Sequence, residues 1–405
     1  VSHAVCSKVL RIANTSDLTR FENELDIAIQ RLENAEKALA LATNDGDAQA
    51  IAYAKEAVEN ASKEVLTSLE NNYESLSEIE QFLAENESKN SESTNAKVAE
   101  MLATQANLEN NKPQSALVSR YSNTALSEMS ANVNVALQIA RNLDRHLLSQ
   151  DNSNVWANTE STKQNYHSDF YRPYKQSLTM TQIGVANNVN DNVRVGAVLS
   201  HSRANNTFAE NVSGKNRLTA LSTYVKGNWN NGIFASLDLG YGRSRNTIDF
   251  DGKNNVFHRS LFSAGVNAGI QWDWGVNVQP SIGVRYNRLS KANYHLAEAK
   301  VENKALNLMT YRAGLELSKT FDVAGVKLTP SVASYYNDAT QRKMAVNGAL
   351  SVNNIDMQQQ FGRYFNHEAG LTAQFNQWQV SAQVGMLKGS DITTQKYAAF
   401  KLGYT

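Results

Sequence analysis

The chain has 405 residues with 39 basic and 39 acidic side chains, but the balance is not even along its length. Residues 1–110 carry 20 acidic against 9 basic side chains, net −11, and residues 151–405 carry 17 against 26, net +9. A single cysteine, Cys6, excludes a disulfide framework and a CxxC metal or redox pair. No run approaches the ~18 consecutive apolar residues of a membrane-spanning helix, which leaves the β-barrel as the one membrane architecture open to it.

The first part is rich in Ala, Glu, Leu and Asn and the second in Gly, Tyr, Val, Asn and Ser, so a helical segment followed by an all-β domain is expected. Residues 1–10 lack a basic stretch followed by an apolar one, so no secretory signal begins the chain, and an exported protein would be part of a longer precursor. From Leu18 the apolar positions Leu18, Phe21, Leu25, Ala28, Leu32, Ala35 and Leu39 step by three and four along one helix face. Thr43-Asn44-Asp45-Gly46-Asp47 is turn chemistry: Gly46 can take φ > 0 and Asp47 can cap the next helix. A second stripe runs through Ile51, Ala54, Val58, Ala61, Val65, Leu69, Tyr73, Leu76 and Leu83, which predicts an acidic helical hairpin acting as a solvated spacer. Residues 84–96 read as a flexible joint.

Between residues 116 and 148 a third helix is expected, with Leu126, Met129, Val133, Leu137, Ala140 and Leu147 on one stripe and Ser, Asn and Gln opposite. So weak an apolar face suits a wet, polar channel better than a dry core.

After Trp156 the period changes from 3.6 to 2. Ile233, Ala235, Leu237, Leu239 and Tyr241 alternate with Phe234, Ser236, Asp238, Gly240 and Gly242, and similar alternation runs through 262–272 and 276–287. The apolar runs end in aromatics such as Trp229, Tyr241, Trp272 and Tyr286, as a lipid-facing girdle requires. Strands are expected near 153–160, 175–187, 193–205, 216–230, 232–247, 256–273, 275–290, 304–320, 325–337, 359–376, 378–388 and 396–405. The expected fold is therefore an α-helical linker followed by a twelve-stranded antiparallel transmembrane β-barrel, monomeric, with a helix in the pore. Tight turns at Asn230-Asn231-Gly232, Trp272-Asp273-Trp274-Gly275 and Val323-Ala324-Gly325 would face the periplasm, and longer loops at 206–215, 249–255, 291–303 and 338–358 the outside.

Catalytic chemistry is not expected in this segment. The Gly-Asp-Ser-Gly and Gly-x-Ser-x-Gly settings of a nucleophilic serine are absent. His367-Glu368 opens like a zinc motif, but Leu371 stands where the second histidine would be. No cofactor and no metal are expected, and no nucleic-acid partner. What stands out is charge on the inward parity, at Arg194, Asp238, Arg285, Arg312, Glu316, Glu368 and Lys401. These side chains either pair among themselves and with water or hold the pore helix through Arg141, Asp144 and Arg145.

A polar helix running into Asn154-Val155-Trp156-Ala157-Asn158, then Tyr171-Arg172-Pro173-Tyr174, Gln182-Ile183-Gly184-Val185, Arg194-Val195-Gly196-Ala197-Val198 and Asp238-Leu239-Gly240-Tyr241-Gly242, resembles the translocators of classical monomeric autotransporters. The nearest in kind are the Hap-type serine-protease adhesins and their IgA-protease relatives, and the likeness covers roughly residues 116–405. The resemblance implies three parts: a helical linker at 1–110 on the passenger side, a pore-spanning segment at 111–151 and a translocator barrel at 152–405. It implies export of an N-terminal passenger, a serine protease or adhesin, across the Gram-negative outer membrane. Partners implied are outer-membrane lipid, periplasmic chaperones and the barrel assembly machinery, which would recognise Phe400, Leu402, Gly403 and Tyr404 in the last strand. Relatives end on an aromatic residue, so one more aromatic is expected after Thr405 in the precursor. Some relatives cut themselves at an Asn-Asn pair in the pore helix. No such pair lies near Gln138, and Asn110-Asn111 is too far upstream, so no self-cleavage is expected. A diffusion pore and a stand-alone surface adhesin are the competing functions.

Overall fold

A computed structural model describes residues 16–70, 120–168, 171–296, 299–339, 343–347, 356–360 and 362–405. Cys6, Tyr73, Leu76, Leu83, the joint at 84–96 and Asn110-Asn111 lie outside the described residues.

Helices α1 (Ser16–Asp45) and α2 (Ala48–Glu70) are broken where the turn chemistry falls. Gly46 takes φ of 73°, and the Asp47 carboxylate accepts the Gln49 N–H at 3.0 Å, capping α2. Their shared seam is narrow because it is built from small residues: Ala28, Ile29 and Ala42 meet Ala54, Ala61 and Val65. Arg31 and Glu64 pair across its exposed side.

Helix α3 (Arg120–Leu148) and twelve strands form the second body. The strands are β1 (Val155–Tyr166), β2 (Tyr174–Asn188), β3 (Val193–Phe208), β4 (Val212–Asn228), β5 (Ile233–Phe250), β6 (Lys253–Ile270), β7 (Asn277–Leu289), β8 (Leu306–Ser318), β9 (Val326–Ala339), β10 (Arg363–Phe375), β11 (Trp378–Lys388) and β12 (Gln395–Tyr404). Each pairs antiparallel with its sequence neighbour. The sheet closes where Val155 to Thr162 of β1 meet Tyr404 to Tyr397 of β12. Closure leaves the sheet no free edge across the apolar band, so strand backbone groups there pair within the wall, as a hydrocarbon environment demands.

Burial alternates residue by residue along β2 to β5. The exposed parity is the apolar one, including Ile183, Leu221, Leu239, Val266, Ile282 and Val384. This inverts a soluble barrel: polar side chains are inside and aliphatic ones outside. Trp229, Trp274, Trp378 and Tyr404 bound the apolar band at the end where the chain enters β1 and leaves β12, called the near end. Tyr241, Phe262, Tyr311 and Phe365 bound it at the far end.

Connections at the near end are short and turn through positive φ at Gly232, Gly275, Ala324, Gly325 and Asn376. At the far end two expected loops are corrected. Residues 206–215 and 249–255 are not open loops: β3 and β4 run on to a turn at Glu210-Asn211, and β5 and β6 to one at Asp251-Gly252. Their polar composition hides an inward alternation, since Phe208, Val212 and Phe250 are buried. The expected loop 291–303 also folds, as paired strands Ala292–Leu296 and Ala299–Asn303. These join Lys343–Asn347 and Asp356–Gln360, from the last long connection, in a separate four-stranded sheet.

Candidate functional site: the lumen and its helix

Helix α3 lies in the lumen and is buried from Asn123 to Leu148, polar and apolar residues alike, except along the face of Asn134, Leu137, Arg141, Asp144 and Arg145, which is half-buried. Its 29 residues span about 43 Å at 1.5 Å per residue, enough to thread the barrel wall from end to end.

The expectation of a wet channel is corrected for one side of the far half. Leu126, Met129, Val133 and Val135 pack with Tyr174, Leu178, Met180, Phe257 and Tyr294 in one apolar cluster. On the side of β2–β6 the inward positions mix apolar residues such as Phe208, Leu218, Ile248 and Leu261 with buried Asn206, Asn216 and Asn246, and the bore is filled there. Within this cluster Arg259 of β6 makes a bidentate pair with Glu128, 3.1 and 2.8 Å. Tyr294 and the Asn303 amide also donate to Glu128, at 3.3 and 3.1 Å. Every charge in this dry region is therefore matched.

Midway down, Glu160 of β1 takes two bonds of 3.0 Å from Arg141 and one from the Asn142 amide. Arg145 reaches across to Glu368 of β10 with two bonds of 2.8 Å, and the Tyr397 hydroxyl also donates to Glu368. On the opposite wall Arg285 of β7 bridges Asp144 at 2.7 Å and Asp238 of β5 at 2.7 and 2.8 Å. Arg312 of β8 adds a second cation to Asp144 at 3.0 Å.

At the near end the helix is capped by the wall. Gln279 donates to the Leu148 carbonyl at 2.9 Å and Lys226 to the Ser149 carbonyl at 2.6 Å, placing a cation at the negative helix terminus. His146 stacks on Trp156 at 4.0 Å, and Lys401 binds Asp151 at 2.7 Å. Trp156 and Tyr224 lie flat over the neighbouring strands at Gly184 and Gly196, where any Cβ would enter their rings. These two glycines let aromatic side chains fit between helix and wall.

Not all the inward charges touch the helix. Arg141, Asp144, Arg145, Arg285, Arg312 and Glu368 meet at the middle level, and Asp238 joins through Arg285. Arg194 instead holds the segment after the helix, through the Asn152 carbonyl at 2.9 Å and that of Ser153. Glu316 meets the Tyr335 hydroxyl at 3.4 Å and pairs with no cation among the described residues. Phe400, Leu402 and Tyr404 face outward, whereas Gly403 faces the lumen against Ser153. His367 faces out and Glu368 in, so the two cannot share a metal.

Sequence reasoning missed Glu128, Glu160, Arg259, Lys226 and Asp151. Arg259 shares the inward parity of Ser263, and Glu160 that of Trp156, so their direction was available. Glu160 went unnoticed because the first strand was expected to stop there, and it continues to Tyr166.

One side of the helix is not filled. A cavity of about 660 Å³ lies between Asn134, Arg141 and the far-end parts of β8, β9, β10 and β12, bounded by Tyr166, Tyr364 and Thr393.

A family model described as autotransporter beta-domain matches residues 155–385. The chain is 36% identical over 293 residues to an adhesion and penetration protein autotransporter of Haemophilus influenzae, covering 72% of this chain and 20% of that protein. It is 30% identical over 319 residues to an immunoglobulin A1 protease autotransporter of the same organism, covering 77% of this chain and 17% of that one. It thus spans about a fifth of the length of these relatives. Among solved structures, the translocator domain of the autotransporter NalP from Neisseria meningitidis matches with a TM-score of 0.54 at 15% identity, over 69% of this chain and 98% of that one. At that identity the likeness concerns the fold.

Proposed function

The chain belongs to the autotransporter β-domain family, and from that premise we propose that the passenger it exports is a serine protease with adhesive function. The barrel is an outer-membrane translocator of Gram-negative type that exports its own N-terminal passenger, and it is not itself catalytic. Support for the passenger comes from the two relatives, one an adhesion and penetration protein and the other an immunoglobulin A1 protease. We divide the chain into a passenger-side hairpin at 1–110, a pore segment at 111–151 and the barrel at 152–405.

One observation carries the translocator reading: a continuous helix occupies the lumen of a closed barrel and runs from its far mouth to Leu148, with six residues, 149–154, before the first strand. The helix begins at the far mouth, the end through which we infer that the passenger is exported. Short turns mark the near end as periplasmic, so the far mouth opens at the cell surface. The pairs of Arg141, Asp144 and Arg145 then hold the helix as a plug once export is over.

An epitope placed at residue 110 should be bound by antibody on intact cells. Binding only after permeabilisation would overturn the orientation. In the same cells, Phe400→Ala with Tyr404→Ala should lower the amount of barrel in the outer membrane several-fold, if the assembly machinery and its chaperones read that outward face. The whole precursor should be labelled by a fluorophosphonate probe for active serine, and no labelling would remove the protease assignment. The cavity beside the helix favours a second reading, a conducting pore, which channel measurement separates.

A further inference from the structure

Beyond the far-end girdle, β3 to β6 continue into the cell-surface side, and their outward positions turn basic. The register sets Arg203 opposite Arg217, Arg217 opposite Arg245, and Arg245 opposite His258. Arg243 lies in the adjoining row nearer the apolar band, and Lys215 in the row farther out. These side chains are all exposed. None of the positions in the three rows is Asp or Glu. Among the described residues no carboxylate forms an ion pair with Arg203, Arg217, Arg243 or Arg245. On β9 and β10 the outward position beyond Tyr336 and Phe365 puts Asp338 opposite Arg363, so charge is balanced there. Other outward cations of the far rim, such as Lys163, Lys175 and Arg288, stand opposite uncharged residues, whereas on β3–β5 arginine faces arginine.

Like charges directly opposite on one face of a sheet stand roughly 5 Å apart at Cβ and destabilise the pairing. Two such contacts in one row, Arg203 with Arg217 and Arg217 with Arg245, call for a counter-charge from outside the chain. The depth says what supplies it. Arg243 and Arg245 follow Tyr241 by two and four residues, which at ~3.3 Å per residue and ~40° tilt places them about 5 and 10 Å beyond the aromatic belt. That belt sits at headgroup level, so the guanidinium groups stand among the phosphates of the outer leaflet. Guanidinium matches phosphate oxygens two at a time.

We propose that the outer face of β3–β6 is a binding site for the phosphorylated glycolipid of the outer leaflet, with Arg203, Arg217, Arg243 and Arg245 pairing with its phosphate groups. The site takes a lipid bearing two phosphates, because the arginines occupy two adjacent rows on three strands and one phosphate cannot reach them all. This inference rests on the outer-membrane placement and sidedness above. An epitope found on the periplasmic side would fail that reading, whereas the test here bears on lipid choice alone.

The full chain, folded in phosphatidylcholine nanodiscs, is titrated with bisphosphorylated lipid A, with the same lipid stripped of both phosphates, and with inorganic phosphate as competitor. Retained lipid is read by native mass spectrometry. The parent protein should hold bisphosphorylated lipid A at least tenfold better than the stripped lipid. The R203Q/R217Q/R243Q/R245Q variant should lose that preference while keeping its heat-modifiable folded band. If four changes prevent folding, R217Q/R245Q, which breaks the centre of the row, should lose at least half of the preference. Equal retention by parent and variant overturns the proposal, as does equal binding of the stripped lipid. Displacement by millimolar inorganic phosphate also overturns it, reducing the row to a general anion site. Binding of an anionic surface protein in place of the lipid overturns it as well.

Discussion

Glu128 and Arg259 are the most secluded opposite charges in the lumen, their side chains 4% and 0% exposed. Removing one partner strands the other in a dry cluster, which costs about 3–5 kcal/mol for a buried pair. Arg259→Ala should therefore raise the rate at which a protease added from outside cuts within α3 by more than a hundred-fold, since each 1.4 kcal/mol is about a factor of ten. Replacing both, as Glu128→Leu with Arg259→Met, should restore most of the protection, because an apolar pair of similar volume needs no matching charge. Arg312→Met should cost far less than Arg259→Ala, as Asp144 keeps Arg285 at 2.7 Å. If the three variants were equally protected, the ion pairs would not be what holds the helix. The charges in this layer were readable as inward by parity. Their partners were not, since Arg259 is 131 residues from Glu128 and Glu368 is 223 from Arg145.

Helix α3 is the element on which the two competing functions differ. Tied at several heights and capped by Lys226 and Gln279, it leaves beside it a cavity of about 660 Å³. That cavity narrows at the middle level to about 80 Å³ beside Arg141, Asp144, Arg145 and Glu368. In planar bilayers the full chain should conduct little, and deletion of residues 111–150 should open a large, steady conductance. Equal conductance with and without the helix would favour the diffusion pore. The helix itself was legible from its stripe of Leu126, Met129, Val133 and Leu147. Its surroundings were misread, because a weakly apolar helix face says nothing of what lines the wall. Strand residues such as Leu178, Phe257 and Leu261, carried inward at the far end, make one side of that half dry, while the side facing β8–β12 keeps a cavity.

At the scale of the whole molecule, stability in the bilayer rests on an apolar band outside and a satisfied polar interior. A cation placed mid-band should cost about 2–4 kcal/mol, so Leu237→Arg, exposed on β5 midway between the two girdles, should lower the urea midpoint of the barrel in vesicles. An unchanged midpoint would mean that this face does not contact lipid. Arginine at Ser213, near the far tip of β4 and outside that band, should leave the midpoint nearly unchanged.

The sequence by itself determined the number of strands, the parity that faces lipid, the tight turns at one end and the presence of a helix before the wall. Each follows from a local rule: the pleat alternates side chains every residue, the helix every 3.6, and glycine admits the turns. Only the tertiary structure decided which wall residue meets which helix residue, where the bore is dry, and that 206–215 and 249–255 are strand. It alone brought three arginines of β3–β5 into one row, with Arg243 in the next. Those outcomes depend on how far each strand is staggered against the next when the barrel closes. That stagger is set by all twelve strands together and is written in none of them singly.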